Sequence, residues 1–214
     1  MGRLRLTFAA MTKPKLTYFD GPVSRGEECR LALHLAGVDF TDVRIGGPDW
    51  LALKPQSPFG GLPFYEEEGH PPLGQSNAIL TLIGRRHGLH PKDDFEAARH
   101  EAVMQHVEDL RAQLGPTTRI ADAAEKQRVR EGLAKTYLPA WGAFAEKQIA
   151  AAGPFFAGAS PHVVDLKLHM VVRWIRSGVL DHLPATIFAD LPKLNRVHDA
   201  VGDHARVKSW YAKG

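Results

Sequence analysis

The first part of the chain alternates between strand-like and helix-like patterns of hydrophobic and polar residues. The segment KLTYF (15–19) alternates apolar and polar side chains, as a β-strand does. The segment SRGEECRLALHLAG then predicts a helix, with Ser24 and Glu27 spaced as a capping box and Gly37 at its end. The segment DFTDVRI predicts a second strand. Strand, helix and strand in this order predict two parallel strands joined by a crossover helix.

Further along, the pattern predicts two more strands and another helix. The segment GGPDWLALKPQSPFGG contains too much proline and glycine for a long helix. The segment LPFYEEEGHPPL predicts two short strands around a turn at residues 68–69. Ile79, Leu82 and Ile83 then recur at helical spacing, and Gly88 ends that helix. The predicted order of elements is therefore β-α-β-β-β-α.

The remaining sequence shows only helical patterns. Apolar residues recur at helical spacing from Phe95 to Leu114, where Gly115 and Pro116 follow. A second long helix is predicted over about residues 124–152, kinked at Pro139, and shorter helices should follow it. The sequence thus predicts an N-terminal extension (1–14), an α/β domain (15–88), a linker (89–94) and an all-helical domain (95–214).

The composition is that of an ordinary globular protein. Hydrophobic residues make up 44% and charged residues 24% of the 214 positions, and no apolar run approaches the roughly 18 residues that a membrane span needs. We therefore expect no association with a membrane. The net charge of +3 includes no long basic run, so we expect no nucleic-acid partner. Residues 1–10 are basic and are predicted to be a loose extension before Met11.

Cysteine, nucleotide and metal motifs narrow the chemistry further. The single cysteine, Cys29, has no partner for an internal disulfide, which predicts a reducing, cytoplasmic location and a small buried side chain in the first helix. No GxGxxG or GxxxxGK[ST] pattern occurs, so we expect no nucleotide cofactor. His87, His90, Asp93 and Asp94 lie close in sequence but lack metal-ligand spacing, so we expect no metal site.

Five short motifs resemble those of the cytosolic glutathione transferases. They are KLTYF (15–19), DW (49–50) with Lys54, PFGGLP (58–63), QSNAI (75–79) and VEDLR (107–111). Each is weak alone, but all five follow the order and spacing of that family, and the resemblance runs from about Lys15 to the C-terminus. The closest similarity is to its tyrosine-dependent branch, of sigma and pi type. The resemblance implies a thioredoxin-like first domain, an all-helical second domain and glutathione as co-substrate.

The resemblance also implies how the chain binds glutathione. Ser76, at the start of a helix, would bind the γ-glutamyl carboxylate through its hydroxyl, free backbone N–H groups and the helix dipole, with Gln75 beside it. This segment alone favours a plain N-cap for Ser76, and only the other motifs together favour the binding role. A cis Leu62–Pro63 bond would let the Leu62 backbone pair with the glutathione cysteine, whereas a trans proline at a strand start is the alternative.

The same resemblance implies that three further residues contribute to glutathione binding. Trp50 and Lys54, four positions apart, can direct an indole N–H and an ammonium group at the glycyl carboxylate of glutathione. Packing for Trp50 and solvation for Lys54 are the structural alternatives. Asp109 resembles an aspartate that reaches the glutathione of the neighbouring subunit. The resemblance therefore implies a homodimer.

Tyr18 is the predicted catalytic residue. A free thiol has a pKa of about 8.5, so only a small fraction is thiolate at neutral pH. A phenol that donates a hydrogen bond to the sulfur would stabilise the anion by about 1.5 to 3 kcal/mol, which lowers the thiol pKa by about one to two pH units. Ser24 is the alternative, because other branches of the family use a hydroxyl near the start of this helix. The predicted capping box gives Ser24 a structural role as well.

The electrophile would occupy an apolar pocket beside the sulfur. By analogy with the family, Phe19, Pro22, Val23, Met104 and Trp210 are predicted to border that pocket. The expected activity is transfer of the glutathione thiolate to small hydrophobic electrophiles. The alternatives are a glutathione-dependent peroxidase or isomerase, and a non-catalytic member of the fold that binds ligands or acts as a scaffold.

Overall fold

The structure is a computed structural model that describes residues 13–212. Residues 1–12, which include Met11 and most of the predicted N-terminal extension, lie outside the described residues. The elements of the first part are β1 (Lys15–Phe19), α1 (Ser24–Leu35), β2 (Thr41–Ile45), α2 (Gly47–Leu53), β3 (Phe64–Glu66), β4 (Leu73–Gly74) and α3 (Ser76–His87).

The strands form a mixed sheet in the order β2-β1-β3-β4. Strand β1 runs parallel to β2, with Tyr18 opposite Arg44, and antiparallel to β3, with Thr17 opposite Phe64. Helices α1 and α3 pack against each other. The order β-α-β-β-β-α predicted from the hydrophobic pattern is confirmed, and so is the thioredoxin-like fold that the resemblance implies.

The irregular segment between β2 and β3 contains only short helical pieces, as predicted. Helix α2 has seven residues and is followed by a single 3-10 turn, Lys54–Gln56. The chain then reaches β3 through a cis peptide bond between Leu62 and Pro63. The loop before β3 and the start of α3 border the same cavity, which is described below.

The second part is all-helical, as predicted. Its elements are α4 (Asp94–Leu114), α5 (Ala123–Lys135), α6 (Tyr137–Gln148), α7 (Val163–Arg176), α8 (Pro192–Asp203) and α9 (Ala205–Tyr211). Helix α7 is the central one, because it packs against α1, α4 and α8, with Leu166, Leu168 and Val171 completely buried. Within residues 13–212, no helix is long and apolar enough to cross a lipid bilayer.

The prediction of one long helix over residues 124–152, kinked at Pro139, is wrong. The structure has two helices, α5 and α6, separated at Thr136, whose backbone is not helical (φ −126°, ψ −65°). Pro139 has no N–H for the carbonyl of Lys135, and its ring would clash with that carbonyl in a continuous helix. The proline therefore ends the helix four residues before itself and becomes part of the first turn of α6.

Candidate active site

Two neighbouring cavities open between the sheet and the helices. The polar cavity, of about 200 Å³, is bordered by Arg25, Phe59, Gly61, Leu62, Pro63, Gly74, Gln75, Ser76 and Glu108. The apolar cavity, of about 370 Å³, is bordered by Pro22, Val23, Ser24, Arg111, Met170, Arg173, Trp174, Ser177 and Val179. Ser24 borders one cavity and the next residue, Arg25, borders the other. Both cavities are therefore bordered by the first turn of α1.

Four of the predicted glutathione-binding residues lie together at the polar cavity. They are Leu62, Pro63, Gln75 and Ser76. The Leu62–Pro63 bond is cis, and Gln75 has a positive φ of 70°, an uncommon backbone for a residue other than glycine. Gln75 is the N-cap of α3 and Ser76 is its first residue, so Ser76 is not the N-cap. The cavity thus receives the N-terminal end of a helix, where free N–H groups favour an anion.

Arg25 and Glu108 also border the polar cavity, and neither was predicted. The guanidinium of Arg25 binds the Glu108 carboxylate, with Nε and Nη2 each 2.7 Å from Oε2. Glu108 lies in the VEDLR motif, so a signal existed, but the prediction was placed on its neighbour. Asp109 is exposed, and its charge acts on Tyr137 at the start of α6.

Trp50 and Lys54 do not border the polar cavity. Trp50 is half-buried in α2 and meets the ring of Phe19 edge-on, with the ring centres 6.4 Å apart. The side chain of Lys54 is exposed at the end of the same helix. Their contact with the glycyl carboxylate remains a prediction.

Tyr18 lies beneath the first turn of α1 with 7% of its surface exposed. A Cβ atom on Gly26 would stand 2.0 Å from Cδ1 of the Tyr18 ring, so only glycine allows this close packing. Burial raises the pKa of the Tyr18 phenol, although the hydrogen bond from Ser24 and the charge of Arg25 lower it. The phenol is therefore protonated at neutral pH and can act as a donor. Tyr18 borders neither cavity, whereas Ser24 borders the apolar one.

The capping box predicted for Ser24 and Glu27 is wrong. The N-cap of α1 is Val23, which makes no side-chain capping bond, and Ser24 adopts a positive φ of 52°. The Ser24 hydroxyl is engaged with Tyr18, and the Glu27 carboxylate accepts a hydrogen bond from Trp210 Nε1 at 2.7 Å. Both side chains that would form the box are thus used elsewhere.

Of the five residues predicted for the electrophile pocket, the structure brings Pro22 and Val23 to the apolar cavity. Phe19 does not border it, and Met104 is completely buried in the core side of α4. Trp210 binds Glu27 and stacks on Phe40, with the ring centres 6.2 Å apart, away from this cavity.

Helix α7 and the turn after it form the other side of the apolar cavity, which the sequence reasoning missed. Met170, Arg173 and Trp174 come from the helix, and Ser177 and Val179 follow it. Apolar residues on α7 recur at the spacing of a buried helix, which is the same for a core face and a pocket wall. The sequence therefore gave no signal that separates the two.

A buried network of charged groups connects the helices around both cavities. Arg111 binds both Glu28 and Glu108, the latter at 2.8 Å. Lys167 also binds both carboxylates, and its Nζ lies 3.4 Å from Glu28 Oε2 and 2.6 Å from Asn77 Oδ1. Burial disfavours the Glu108 carboxylate, but the charges of Lys167 and Arg111 outweigh it and lower its pKa to about 2. The network ties α1, α3, α4 and α7 together.

Comparison with known proteins decides the family. Residues 14–85 match the family model described as glutathione S-transferase, N-terminal domain, and residues 108–214 match that described as glutathione S-transferase, C-terminal domain. The chain is 33% identical over 207 residues to glutathione S-transferase 1 of Ascaris suum, covering 95% of this chain and 97% of that one. The chain belongs to the glutathione S-transferase family.

Solved structures agree with this. The glutathione S-transferase of Ascaris lumbricoides superposes with a TM-score of 0.78 at 31% identity, covering 94% of this chain and 97% of that one. A monomeric glutathione S-transferase of the hookworm Necator americanus gives a TM-score of 0.80 at 25% identity, covering 94% and 97%. The fold class of the transferases is therefore confirmed along nearly the whole chain.

The family membership confirms the predicted enzyme, a glutathione transferase with glutathione as co-substrate. It favours the transferase over the peroxidase, isomerase and non-catalytic alternatives. In the part of the chain that the structure describes, no group of three or more His, Cys, Asp and Glu side chains is arranged to hold a metal ion. The tyrosine-dependent branch remains a prediction.

Proposed function

We propose that this transferase binds glutathione in the polar cavity and the electrophile in the apolar cavity, with the glutathione sulfur at the hydroxyl groups of Tyr18 and Ser24. The observation that carries the proposal is that two consecutive residues of α1 border the two cavities, and one of them, Ser24, is hydrogen-bonded to Tyr18. Ser24 and Arg25 are consecutive and border one cavity each. Arg111 and Glu108 also border one cavity each and are ion-paired at 2.8 Å. A thiol between the cavities would face a molecule in the apolar one.

In the polar cavity, the end of α3 supports a role for Ser76 and Gln75 as receptors of the γ-glutamyl carboxylate. The free N–H groups and the positive end of the helix dipole attract an anion there. The cis Leu62–Pro63 bond supports backbone pairing between Leu62 and the glutathione cysteine. Trp50 and Lys54 are proposed for the glycyl carboxylate, which requires their side chains to turn toward the tripeptide.

At the hydroxyl pair, Tyr18 donates to the sulfur and Ser24 donates to the Tyr18 oxygen. The phenol stays protonated near neutral pH because burial raises its pKa. Its hydrogen bond stabilises the thiolate, and the thiol proton leaves to solvent. The thiolate then forms a carbon–sulfur bond with the electrophile, and the leaving group departs with the electron pair of the broken bond.

A second assignment makes Ser24 the donor to the sulfur. It is favoured by one observation, since Ser24 borders a cavity and Tyr18 borders none. The pKa of enzyme-bound glutathione, measured from thiolate absorbance in Tyr18→Phe and Ser24→Ala, separates the two assignments. If Tyr18 is the donor, Tyr18→Phe should raise that pKa by about one to two pH units and Ser24→Ala by less. The reverse order would assign the role to Ser24, and no change in either variant would overturn the hydroxyl-pair mechanism.

We also propose a homodimer in which Asp109 approaches the glutathione of the other subunit. Asp109 is exposed on α4, and the ring of Phe59, at the edge of the polar cavity, is 71% exposed. An exposed aromatic ring beside a binding site is typical of an interface. The relative from Necator americanus is monomeric, so light scattering of this protein at micromolar concentration is a decisive test. A mass of one chain would overturn the dimer.

Two observations bear on the branch of the family and on the cellular compartment of this protein. Tyr18, on β1 beneath the first turn of α1, supports membership of the tyrosine-dependent branch. Cys29 is completely buried in α1, as predicted, and supports a reducing compartment such as the cytoplasm.

A further inference from the structure

One cation at the wall of the apolar cavity has only neutral partners. Arg173 Nη1 donates to the Pro22 carbonyl oxygen at 3.2 Å and to the Tyr211 hydroxyl at 2.8 Å. Its guanidinium also lies 4.7 Å from the centre of the Tyr211 ring. Burial and the charge of Glu27 raise the pKa of Tyr211, so its hydroxyl is uncharged. Within residues 13–212, no carboxylate forms a salt bridge with Arg173, and the nearest acidic contact runs through Tyr211 to Glu27.

The other arginine of the same cavity differs in this respect. Arg111 is almost fully buried and forms salt bridges with Glu28 and Glu108. Its charge is therefore balanced inside the protein. Arg173 is half-buried and brings a positive charge to the cavity wall without a direct carboxylate partner among the described residues, since Glu27 reaches it only through the Tyr211 hydroxyl.

The hydrogen bonds of Arg173 also leave part of its guanidinium available. Both bonds use Nη1, so among the described residues the Nε and Nη2 donors have no acceptor. These two donors form an edge that matches a carboxylate with two parallel hydrogen bonds. A partly enclosed apolar cavity screens charge less than water does, which strengthens such a pair.

We propose that the apolar cavity selects electrophiles that carry a carboxylate, and that Arg173 binds that carboxylate. The inference rests on the proposed function, because it takes the apolar cavity as the electrophile site. The preferred substrate is an apolar molecule with its reactive carbon near Ser24 and its acid group at Arg173. Met170, Trp174 and Val179 contact the part between the two ends.

A matched pair of electrophiles tests this selection. Ethacrynic acid is an unsaturated ketone with a carboxylate, and its primary amide has the same reactive group without the charge. With either compound the glutathione sulfur bonds to the terminal alkene carbon, the carbon–carbon double bond opens, and the adjacent carbon takes a proton from water. The quantity to measure is the ratio of kcat/KM for acid over amide, after each is divided by its uncatalysed rate with glutathione.

For the unmodified enzyme, the ratio should favour the acid by about tenfold or more. Arg173→Gln should bring the ratio close to one, chiefly through a higher KM for the acid. Arg173→Lys keeps the charge but loses the two-donor edge, and should retain part of the preference. The matched control is Arg176→Gln, one turn further along α7, where the arginine binds Asp199 and Asn195 outside the cavity and its loss should leave the ratio unchanged.

The outcomes separate this inference from the proposed function. Turnover of both compounds with a ratio near one in the unmodified enzyme would overturn the inference and leave the proposed function intact. Turnover of neither compound would overturn both. If Arg173→Gln does not fold, the ratios of the unmodified enzyme and of Arg173→Lys decide. A ratio that Arg176→Gln lowers as much as Arg173→Gln does would also contradict a specific role for Arg173.

Discussion

The polar and apolar cavities are neighbours, but they are built from different parts of the chain. The polar cavity depends on backbone conformations, namely the cis Leu62–Pro63 bond and the positive φ of Gln75. The apolar cavity depends on side chains of α7 and of the loop before α1. Backbone groups present the same donors and acceptors whatever the side chain is, which suits one fixed ligand. Side chains on a helix face can change one at a time, which suits a variable ligand.

Disrupting the buried charged network should impair ligand binding in both cavities, because the network lies between them. Glu28→Ala leaves Arg111 and Lys167 with Glu108 as their remaining carboxylate partner, and removing one member of a buried ion pair costs about 3 to 5 kcal/mol. We expect a fall of that size in the free energy of unfolding, measured with denaturant, and loss of both ligands. Glu96→Ala, which removes an exposed pair with Arg99, is the control and should cost less than about 1 kcal/mol. Equal stability of the two variants would show that the network does not hold the cavities together.

Acid should weaken the helical half through His100. Its ring is fully buried with neither nitrogen bonded among the described residues, and burial, with the nearby His162 and His90, lowers its pKa to about 3. An unfolded histidine has a pKa of about 6.5, so the unfolded chain binds more protons below that pH. The contribution of the uncharged His100 ring to the free energy of unfolding is fully present above pH about 6.5. It decreases as the pH falls toward about 3, and about 2 kcal/mol of it is lost at pH 5.

The substitution His100→Phe should remove this part of the pH dependence. We expect the loss of unfolding free energy between pH 7.5 and pH 5 to be smaller in His100→Phe than in the unmodified protein. His87→Asn, at an exposed histidine, should keep the original dependence. Asp165, whose pKa burial raises to about 7 against its backbone hydrogen bonds, acts in the opposite direction but is common to all variants and cancels in the comparison. An unchanged pH dependence in His100→Phe would contradict the account.

Ser76→Ala should affect the polar cavity alone. Loss of one hydrogen bond to a carboxylate weakens binding by about 1.5 kcal/mol, or about tenfold in the Kd for glutathione. The KM for a neutral electrophile at saturating glutathione should stay within about twofold. Calorimetric titration with glutathione checks the first expectation, and Ser160→Ala, at an exposed loop position, is the control. A Kd unchanged by Ser76→Ala would remove Ser76 from the proposed site.

The smallest effect is expected for Val179→Ala, which should affect the apolar cavity alone. The variant removes two carbon atoms from a side chain that is 69% exposed, so the KM for a hydrophobic electrophile should rise by only about two- to fivefold. The Kd for glutathione should not change. Steady-state kinetics with electrophiles of increasing chain length will check this, and an effect on glutathione affinity instead would mean that the cavities are not independent.

Local patterns predicted the sheet and the order of its elements, and the family resemblance pointed to four of the residues that border the polar cavity. Alternation marks the strands and a polar pair marks the start of α3, whereas the cis Leu62–Pro63 bond was expected only from the resemblance. The apolar cavity left no such signal: on α7, Met170 and Trp174 have the same spacing as core residues. Trp210 was assigned to this cavity, but the path of α9 places it beside Glu27.

Two local errors have the same origin. Ser24 and Glu27 fit a capping box by spacing, yet each has a tertiary partner that lies far away in sequence or in another element. Pro139 was predicted to kink a helix. Instead, it cannot bond to the carbonyl four residues earlier, and the chain forms two helices that are separated at Thr136. Patterns along the chain predict what a segment can form, and contacts between segments decide which option is used.

A crystal structure with S-hexylglutathione would show whether one ligand occupies both cavities, because this compound carries a tripeptide and an apolar chain on one sulfur. We expect the tripeptide at Leu62, Gln75 and Ser76, the sulfur within hydrogen-bond distance of the Tyr18 or Ser24 hydroxyl, and the hexyl chain between Pro22 and Met170. A tripeptide bound elsewhere, or a hexyl chain directed away from the apolar cavity, would contradict this expectation.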